Sequence, residues 1–224
     1  MKIVFLDANS IGSDIDLSDF SKLGEVVRYG YTDECDMPQR IMDADVIIVN
    51  KIPMNEATLS GASHLKLVAL TATGMNNIDF DYTNSHGIQV KNVAGYSTNA
   101  VAQHTFALLF YVLHRLAYYD NYVKSGAYCT NPGFSHFDEK FSELDGKTWG
   151  IVGMGAIGQR VASIAEAFGC HVIYYSTSGN HTEDGYERVD FDTLLKTSDI
   201  VSVHAPLTEQ TEQLMNAAAF SKMK

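Results

Sequence analysis

The sequence predicts an α/β protein built from two parallel-sheet units, and three observations predict it. Short, continuously apolar strands alternate with segments of helical spacing along the whole chain. A glycine-rich turn, Gly153-Met154-Gly155-Ala156-Ile157-Gly158, sits between one such strand and one such helix. Hydrophobic residues make up 46% and charged residues 19% of 224 residues, enough apolar material for one large domain or two ordinary ones.

The first unit is expected over residues 1–98. Ile3-Val4-Phe5-Leu6, Glu25 to Tyr29, Asp45 to Val49, Leu67 to Leu70 and Ile88 to Lys91 read as five strands. Polar segments of helical spacing, Met37 to Asp43 and Asn55 to Ser63, lie between them. Strands apolar throughout, separated by helices, imply a parallel sheet covered on both faces, which is a flavodoxin-like arrangement. Ligands of such sheets bind beyond the carboxyl ends of the strands. Two ends draw the eye: Asn50-Lys51, and Thr71 to Asp79. Thr73 and Gly74 offer a hydroxyl and a bare backbone N–H to a small anion. The same stretch also reads as a glycine turn followed by Asn/Asp capping of the next helix.

The second unit is expected over residues 99–224. A single long helix is predicted from about Asn99 to about Lys124. Its middle, Phe106 to Leu113, is apolar on every side, so it is expected to be buried, between two domains or between two copies of the chain. His104 and His114 on it read as core residues rather than catalysts. Ser125 to Asp145 reads as a loop covering a neighbouring surface. Then come the strand around Ile151-Val152, a helix through Ile157, Val161, Ile164, Ala165 and Phe168 stopped by Gly169, and a strand from Cys170 to Tyr175. Glu187 to Val189, a helix from Phe191 to Lys196, the strand Asp199 to Val203 and a last helix, Asn216 to Met223, follow.

G-x-G-x-x-G alone is common; strand before, helix and strand after, it specifies a dinucleotide site. The glycines serve a tight turn, close approach of backbone to a diphosphate, and close packing of helix on strand. The helix adds free N–H groups and the positive end of its dipole. This is one end of a Rossmann sheet. Such a sheet has about six strands, and only four are found, so the chain is expected to be a truncated form of a longer protein. An unfinished sheet leaves an open strand edge and uncovered apolar surface.

A net charge of −11 disfavours a nucleic-acid partner. Cys35, Cys129 and Cys170 have no metal-ligand spacing, and their sparse, odd count suits a reducing compartment. Met1 runs straight into a strand, leaving no signal peptide, and Phe106 to Leu113 is shorter than a membrane span. No metal, no membrane partner and a cytoplasmic location are therefore expected.

Over its whole length the chain resembles the D-isomer-specific 2-hydroxyacid dehydrogenases. The resemblance is carried by Thr71 to Asp79, Asn92 to Thr98, Val101 to Thr105, Gly150 to Gly158, and His204-Ala205-Pro206-Leu207-Thr208. It implies a substrate domain over 1–98 and an NAD(P)-binding Rossmann domain over 99–224. It also implies hydride transfer between a nicotinamide and C2 of a small 2-oxo acid, with a homodimer joined through the coenzyme domain. The family's substrate-binding arginine, its proton-donating histidine and the glutamate beside that histidine belong after the fourth coenzyme-domain strand. They would lie beyond Lys224, so no catalytic residue is assigned here and the chain itself is expected to be inactive.

Other roles do carry over. Gly153, Gly155 and Gly158 form the phosphate turn, with Ala156 and Ile157 donating backbone N–H groups. Ala205 and Pro206 match the wall beside the adenine and the nicotinamide ribose. Thr98 and Thr73 match the nicotinamide end, and Thr73 and Gly74 the contact to the substrate carboxylate. One position departs from the pattern: Ser176 stands where NAD enzymes carry an acid for the ribose 2′-OH. Thr177 and Ser178 follow it, with no arginine beside them in the sequence, so NAD or NADP is expected without strong preference. A nucleotide-sensing binding protein on the same fold is the competing reading; a methyltransferase has no use for the Thr71 to Asp79 motif.

Overall fold

The computed structural model describes residues 1–179 and 185–224, which divide into two compact units, Met1–Tyr96 and Ser97–Lys224.

In the first unit, β1 (Lys2–Phe5), β2 (Glu25–Arg28), β3 (Val46–Val49), β4 (Leu67–Leu70) and β5 (Gln89–Lys91) form an all-parallel sheet in the order β2-β1-β3-β4-β5. That is the flavodoxin-like strand order. The registers Ile3↔Val46 and Val46↔Leu67 align the apolar positions, so side chains alternate cleanly between faces. Val4, Leu6, Ile47, Val49, Val68 and Leu70 point to one face. There they meet α1 (Met37–Ile41), α2 (Glu56–Leu59) and α3 (Phe80–Ser85) through Met37, Ile41, Leu59 and Tyr82. Ile3, Phe5 and Ile48 point to the other face, where short 3-10 turns bring Phe20 edge-on to Phe5 at 5.1 Å.

Local caps fix where these helices begin. The Asn55 side chain accepts from the Thr58 N–H while Thr58 Oγ1 accepts from the Asn55 N–H, a reciprocal capping box. Asp79 accepts from the Tyr82 N–H at 2.9 Å and starts α3. The capping reading of the Thr71 to Asp79 stretch is therefore correct at its far end.

In the second unit, β6 (Thr148–Val152), β7 (His171–Tyr175), β8 (Glu187–Arg188) and β9 (Ile200–Val203) are parallel in the order β8-β7-β6-β9. Counted within the unit this is 3-2-1-4, one half of a doubly wound sheet with the crossover to its second side. α4 (Thr98–Leu113) and α7 (Ala156–Ala167) cover one face around Trp149, Ile151 and Tyr174. α8 (Phe191–Thr197) and α9 (Ala217–Phe220) cover the other around Val152, Ile173 and Leu194. Trp149 is fully buried, 4.9 Å from the Phe106 ring, and its indole N–H donates to Ser202 Oγ at 2.9 Å. Gly150 admits α8: a Cβ there would stand 2.8 Å from Leu194 and 2.2 Å from Ser198 Oγ.

The structure corrects one expectation and refines another. The predicted helix Asn99 to Lys124 is two helices, α4 and α5 (Leu116–Lys124), parted at Arg115 in the left-handed conformation at φ 53°. That conformation costs a non-glycine residue about 1–2 kcal/mol. Around the break, His114 stacks on Phe141 at 4.8 Å and Arg115 Nε lies 3.6 Å from Glu139. Nor is α4 buried all round within its unit. Only Ala102 and Phe106 are buried, while Leu108, Tyr111 and Val112 are more than half exposed. An apolar sequence shows that a face wants cover; it does not show that the same chain supplies it. His104 is accordingly exposed and not a core residue, and His114 is half-buried.

The stretch between α5 and β6 begins with α6 (Ala127–Thr130) and then lies back on α5. His136 stacks on Tyr122 at 3.8 Å, and Tyr119 donates to the Glu139 carbonyl. No helix among the described residues is long and apolar enough to cross a membrane.

Candidate dinucleotide site

β6 ends in the glycine turn, and its neighbours hold that turn from both sides. The Gly153 N–H donates to the Tyr175 carbonyl at the end of β7 (2.9 Å), and the His204 N–H after β9 donates to the Val152 carbonyl (2.8 Å). The turn thus lies at the carboxyl ends of three strands, where the order of a doubly wound sheet opens a crevice.

The three glycines are required for different reasons. Gly153 has φ +92°, and a Cβ there would stand 2.9 Å from the Ala205 N. Gly158, inside α7, would drive a Cβ to 2.2 Å from the Gly153 carbonyl oxygen, so helix and strand pack too closely for any side chain. Gly155 differs from both. Its φ of −78° suits any residue, and a Cβ on it would meet nothing within 4 Å. Nothing among the described residues asks for glycine at 155; the space in front of it is open. Gly155 is also the N-cap of α7, with no side chain capping the helix. The first N–H groups of the helix, from Ala156 onward, lack that partner.

A cavity of about 210 Å³ opens here, lined by Gly153, Met154, Gly155, Ser176, Thr177, Ser178, His204 and Pro206. Two buried polar atoms in its wall, Ser176 Oγ and His204 Nε2, have no hydrogen-bond partner among the described residues. Buried polar groups are nearly always paired, so two orphans on residues of one cavity fit a binding site there. Burial depresses the His204 pKa below its ordinary value of 6.5, so its ring is neutral at pH 7. The histidine follows directly on β9, and its orphaned nitrogen escaped the sequence reading. Ala205 and Pro206 continue into an adjacent cavity of about 320 Å³ with Leu207, Leu214 and Met215. Thr98 is the first residue of α4 and lines neither cavity.

No arginine stands beside Ser176 to Ser178 in the sequence, but the sheet brings one to the end of their loop. Parallel pairing sets Arg188 of β8 beside Tyr174, and its Nη2 lies 4.0 Å from where a Gly179 Cβ would be. Sequence distance hid this neighbour; sheet register reveals it.

In the first unit Thr73 and Gly74 are exposed beyond the end of β4. The Thr73 hydroxyl donates to the Val93 carbonyl at 3.0 Å, and Asn92 Nδ2 donates to the Thr73 carbonyl at 2.7 Å. The hydroxyl proton expected for an anion is therefore already engaged, which leaves backbone N–H groups as the donors of this turn. Nearby strand ends carry two more orphans, Asn50 Oδ1 after β3 and Thr71 Oγ1 after β4.

A parallel sheet with a glycine turn, an uncapped helix N-terminus and unsatisfied polar atoms around one crevice defines the class: a dinucleotide-binding α/β protein. Residues 106–224 match the family described as D-isomer specific 2-hydroxyacid dehydrogenase, NAD binding domain. The whole chain is 35% identical to a hydroxypyruvate reductase of Blautia hydrogenotrophica, covering 71% of it, and 33% identical to a glycerate dehydrogenase of Methylorubrum extorquens, covering 69% of it. Among solved structures it is similar to the D-lactate dehydrogenase of Aquifex aeolicus complexed with NAD and lactic acid. There the TM-score is 0.86 at 28% identity, with 99% of this chain and 66% of that one covered. It is also similar to the acyclic imino acid reductase Bsp5 in complex with NADPH and D-Arg, with a TM-score of 0.87 at 31% identity, covering all of this chain and 71% of that one. The chain belongs to the D-isomer-specific 2-hydroxyacid dehydrogenases. These are nicotinamide-dependent oxidoreductases that interconvert small 2-oxo acids and 2-hydroxy acids.

Proposed function

We propose that the second unit is the coenzyme domain and the first the substrate domain of such an enzyme. The diphosphate of NAD or NADP is held at Gly153 to Gly158, on the N–H groups of Ala156 and Ile157. Ser176 faces the adenosine ribose, Ala205 and Pro206 wall the site, and Thr98 stands toward the nicotinamide. The observation that carries this is Gly155, a glycine that internal packing does not need, opening on a cavity with two orphaned polar atoms. When bound, the nicotinamide exchanges a hydride with C2 of the acid. This chain's part is to fix the dinucleotide by backbone donors and to offer the substrate carboxylate the backbone of Thr73 and Gly74.

The reducing step builds negative charge on the substrate oxygen, which calls for an acid and a cation beside it. We place the family's arginine, histidine and glutamate outside residues 1–224. The chain's coverage of about 70% of its relatives supports this. The exposed apolar face of α4 supports a homodimer in the full-length enzyme, and a cytoplasmic location suits a reduced, free-cysteine chain.

Calorimetry with NADH and NADPH tests the coenzyme assignment: saturable binding to the 224-residue chain is expected, and its absence with both would overturn it. A panel of oxo acids with both coenzymes tests the placement of the catalytic groups. No turnover is expected from these 224 residues. Turnover in proportion to their concentration would put the acid and the cation inside them.

A further inference from the structure

We propose that Ser176, Thr177, Ser178 and Arg188 form a pocket for the 2′-phosphate of the adenosine ribose, so that this chain takes NADP(H) in preference to NAD(H). The proposal rests on the coenzyme assignment above and deepens it.

The starting point is the end of β7. An acid at that position would accept hydrogen bonds from the ribose 2′-OH and repel a phosphate there. Ser176 replaces it with a hydroxyl that is 5% exposed, lines the same cavity as the glycine turn, and has an oxygen without a partner. Thr177 and Ser178 line that cavity with it. A hydroxyl can donate to a phosphate oxygen; a carboxylate can only accept. The wall is therefore built to receive an anion in the place where the acid would exclude one.

The cation comes from the next strand. The register Tyr174↔Arg188 sets the arginine beside the end of β7, and its Nη2 lies 4.0 Å from where a Gly179 Cβ would be, at the close of the loop that Ser176, Thr177 and Ser178 begin. A guanidinium matches phosphate in charge and in its paired-donor geometry. Arg188 has contacts within the protein as well, and its five N–H groups can serve more than one acceptor. The carboxylate next to it in sequence does not cancel the charge at the loop: Glu187 lies 3.7 Å from His171 Nε2, at the opposite end of β7. Gly179, at φ +73°, puts no side chain between the loop and the guanidinium.

Calorimetry on the 224-residue chain with 5′-AMP and with adenosine 2′,5′-bisphosphate isolates the subsite from the nicotinamide half and from any turnover. The bisphosphate is expected to bind roughly tenfold tighter or better, the size of one charge-assisted hydrogen bond. Arg188→Ala should bring the bisphosphate to within about threefold of 5′-AMP measured on the same variant, so that any change common to both nucleotides cancels. Arg188→Lys should recover part of the preference. Ser176→Asp should reverse it. Equal or weaker binding of the bisphosphate by the unaltered chain would overturn the phosphate pocket and leave the coenzyme site standing. Failure of both nucleotides to bind would overturn both.

Discussion

Gly155 and Gly158 lie one turn apart, and the structure gives them opposite jobs, so their alanine variants should separate stability from binding. At Gly158 the added Cβ would lie 2.2 Å from the Gly153 carbonyl oxygen, an overlap with backbone rather than with a movable side chain. In a helix interior Ala is better than Gly by about 0.8–1.0 kcal/mol. Relieving the clash means pushing α7 off β6, and overpacking of that kind costs about 1–3 kcal/mol. Gly158→Ala should therefore destabilise the second unit by roughly 0–2 kcal/mol net, with the larger value expected because the obstacle is main chain.

At Gly155 the balance differs. The site is open and its φ is ordinary, so no clash arises. Losing a glycine from the unfolded chain favours folding by about 0.4–1 kcal/mol. Losing it as N-cap disfavours folding by a few tenths to about 1 kcal/mol. These nearly cancel, and the fold should be unchanged within about 0.5 kcal/mol. The methyl would occupy the approach to the helix N-terminus, where backbone donors must come within about 3 Å of phosphate oxygens. Binding of NADH or NADPH should fall roughly tenfold or more, equivalent to about 1.4 kcal/mol. The chain has a single tryptophan, Trp149, fully buried in the second unit, so urea unfolding followed by its fluorescence reports that unit alone. Coenzyme affinity is read by calorimetry on the same samples. A Gly155→Ala protein that is fully stable and binds coenzyme like the parent would refute the claim that the diphosphate lies against this turn. One that fails only because it is unfolded would instead refute the claim that internal packing does not need this glycine.

Acid should weaken the second unit. Burial holds His204 neutral with its pKa lowered, so the unfolded chain takes up a proton more readily than the folded one. Stability from this group is full above its unfolded value near 6.5 and is lost as the pH falls below it. Urea titrations followed by Trp149 fluorescence from neutral to acid pH should show the decline, and His204→Gln should flatten it in that window. Thiol labelling should distinguish the cysteines. Cys35 and Cys129 are exposed, whereas Cys170 is buried, its pKa raised by desolvation and its thiol 3.4 Å from the Leu144 carbonyl. Iodoacetamide should modify the first two quickly and Cys170 only on unfolding; equal rates would show that the second unit opens around β7.

Much of the scaffold is legible because it rests on local rules. Val46 to Val49 is β-branched throughout and must be a strand covered on both faces. Long crossovers, several of them carrying a helix, then make the sheet parallel, and the glycines at 153 and 158 are demanded by backbone geometry that any reader of the turn can foresee. What escaped depends on partners that sequence spacing does not reveal. Arg115 breaks the long helix where His114 and Arg115 meet Phe141 and Glu139, residues of a loop that returns on α5. The apolar pattern of α4 gives the need for cover without its source, and half of that helix is bare within its own unit. The same distinction divides the candidate site. Its backbone donors belong to one contiguous turn and were legible. Its side-chain groups are placed by strand order: Ser176 after β7 and His204 after β9 share one cavity, and Arg188 on β8 comes to the loop after β7 at Gly179, only because the strands run β8-β7-β6-β9. Binding of a dinucleotide follows from the turn, but which dinucleotide follows from the sheet. Coenzyme preference here is therefore a property of neighbouring strands, and a substitution on β8 should alter it as effectively as one at the end of β7.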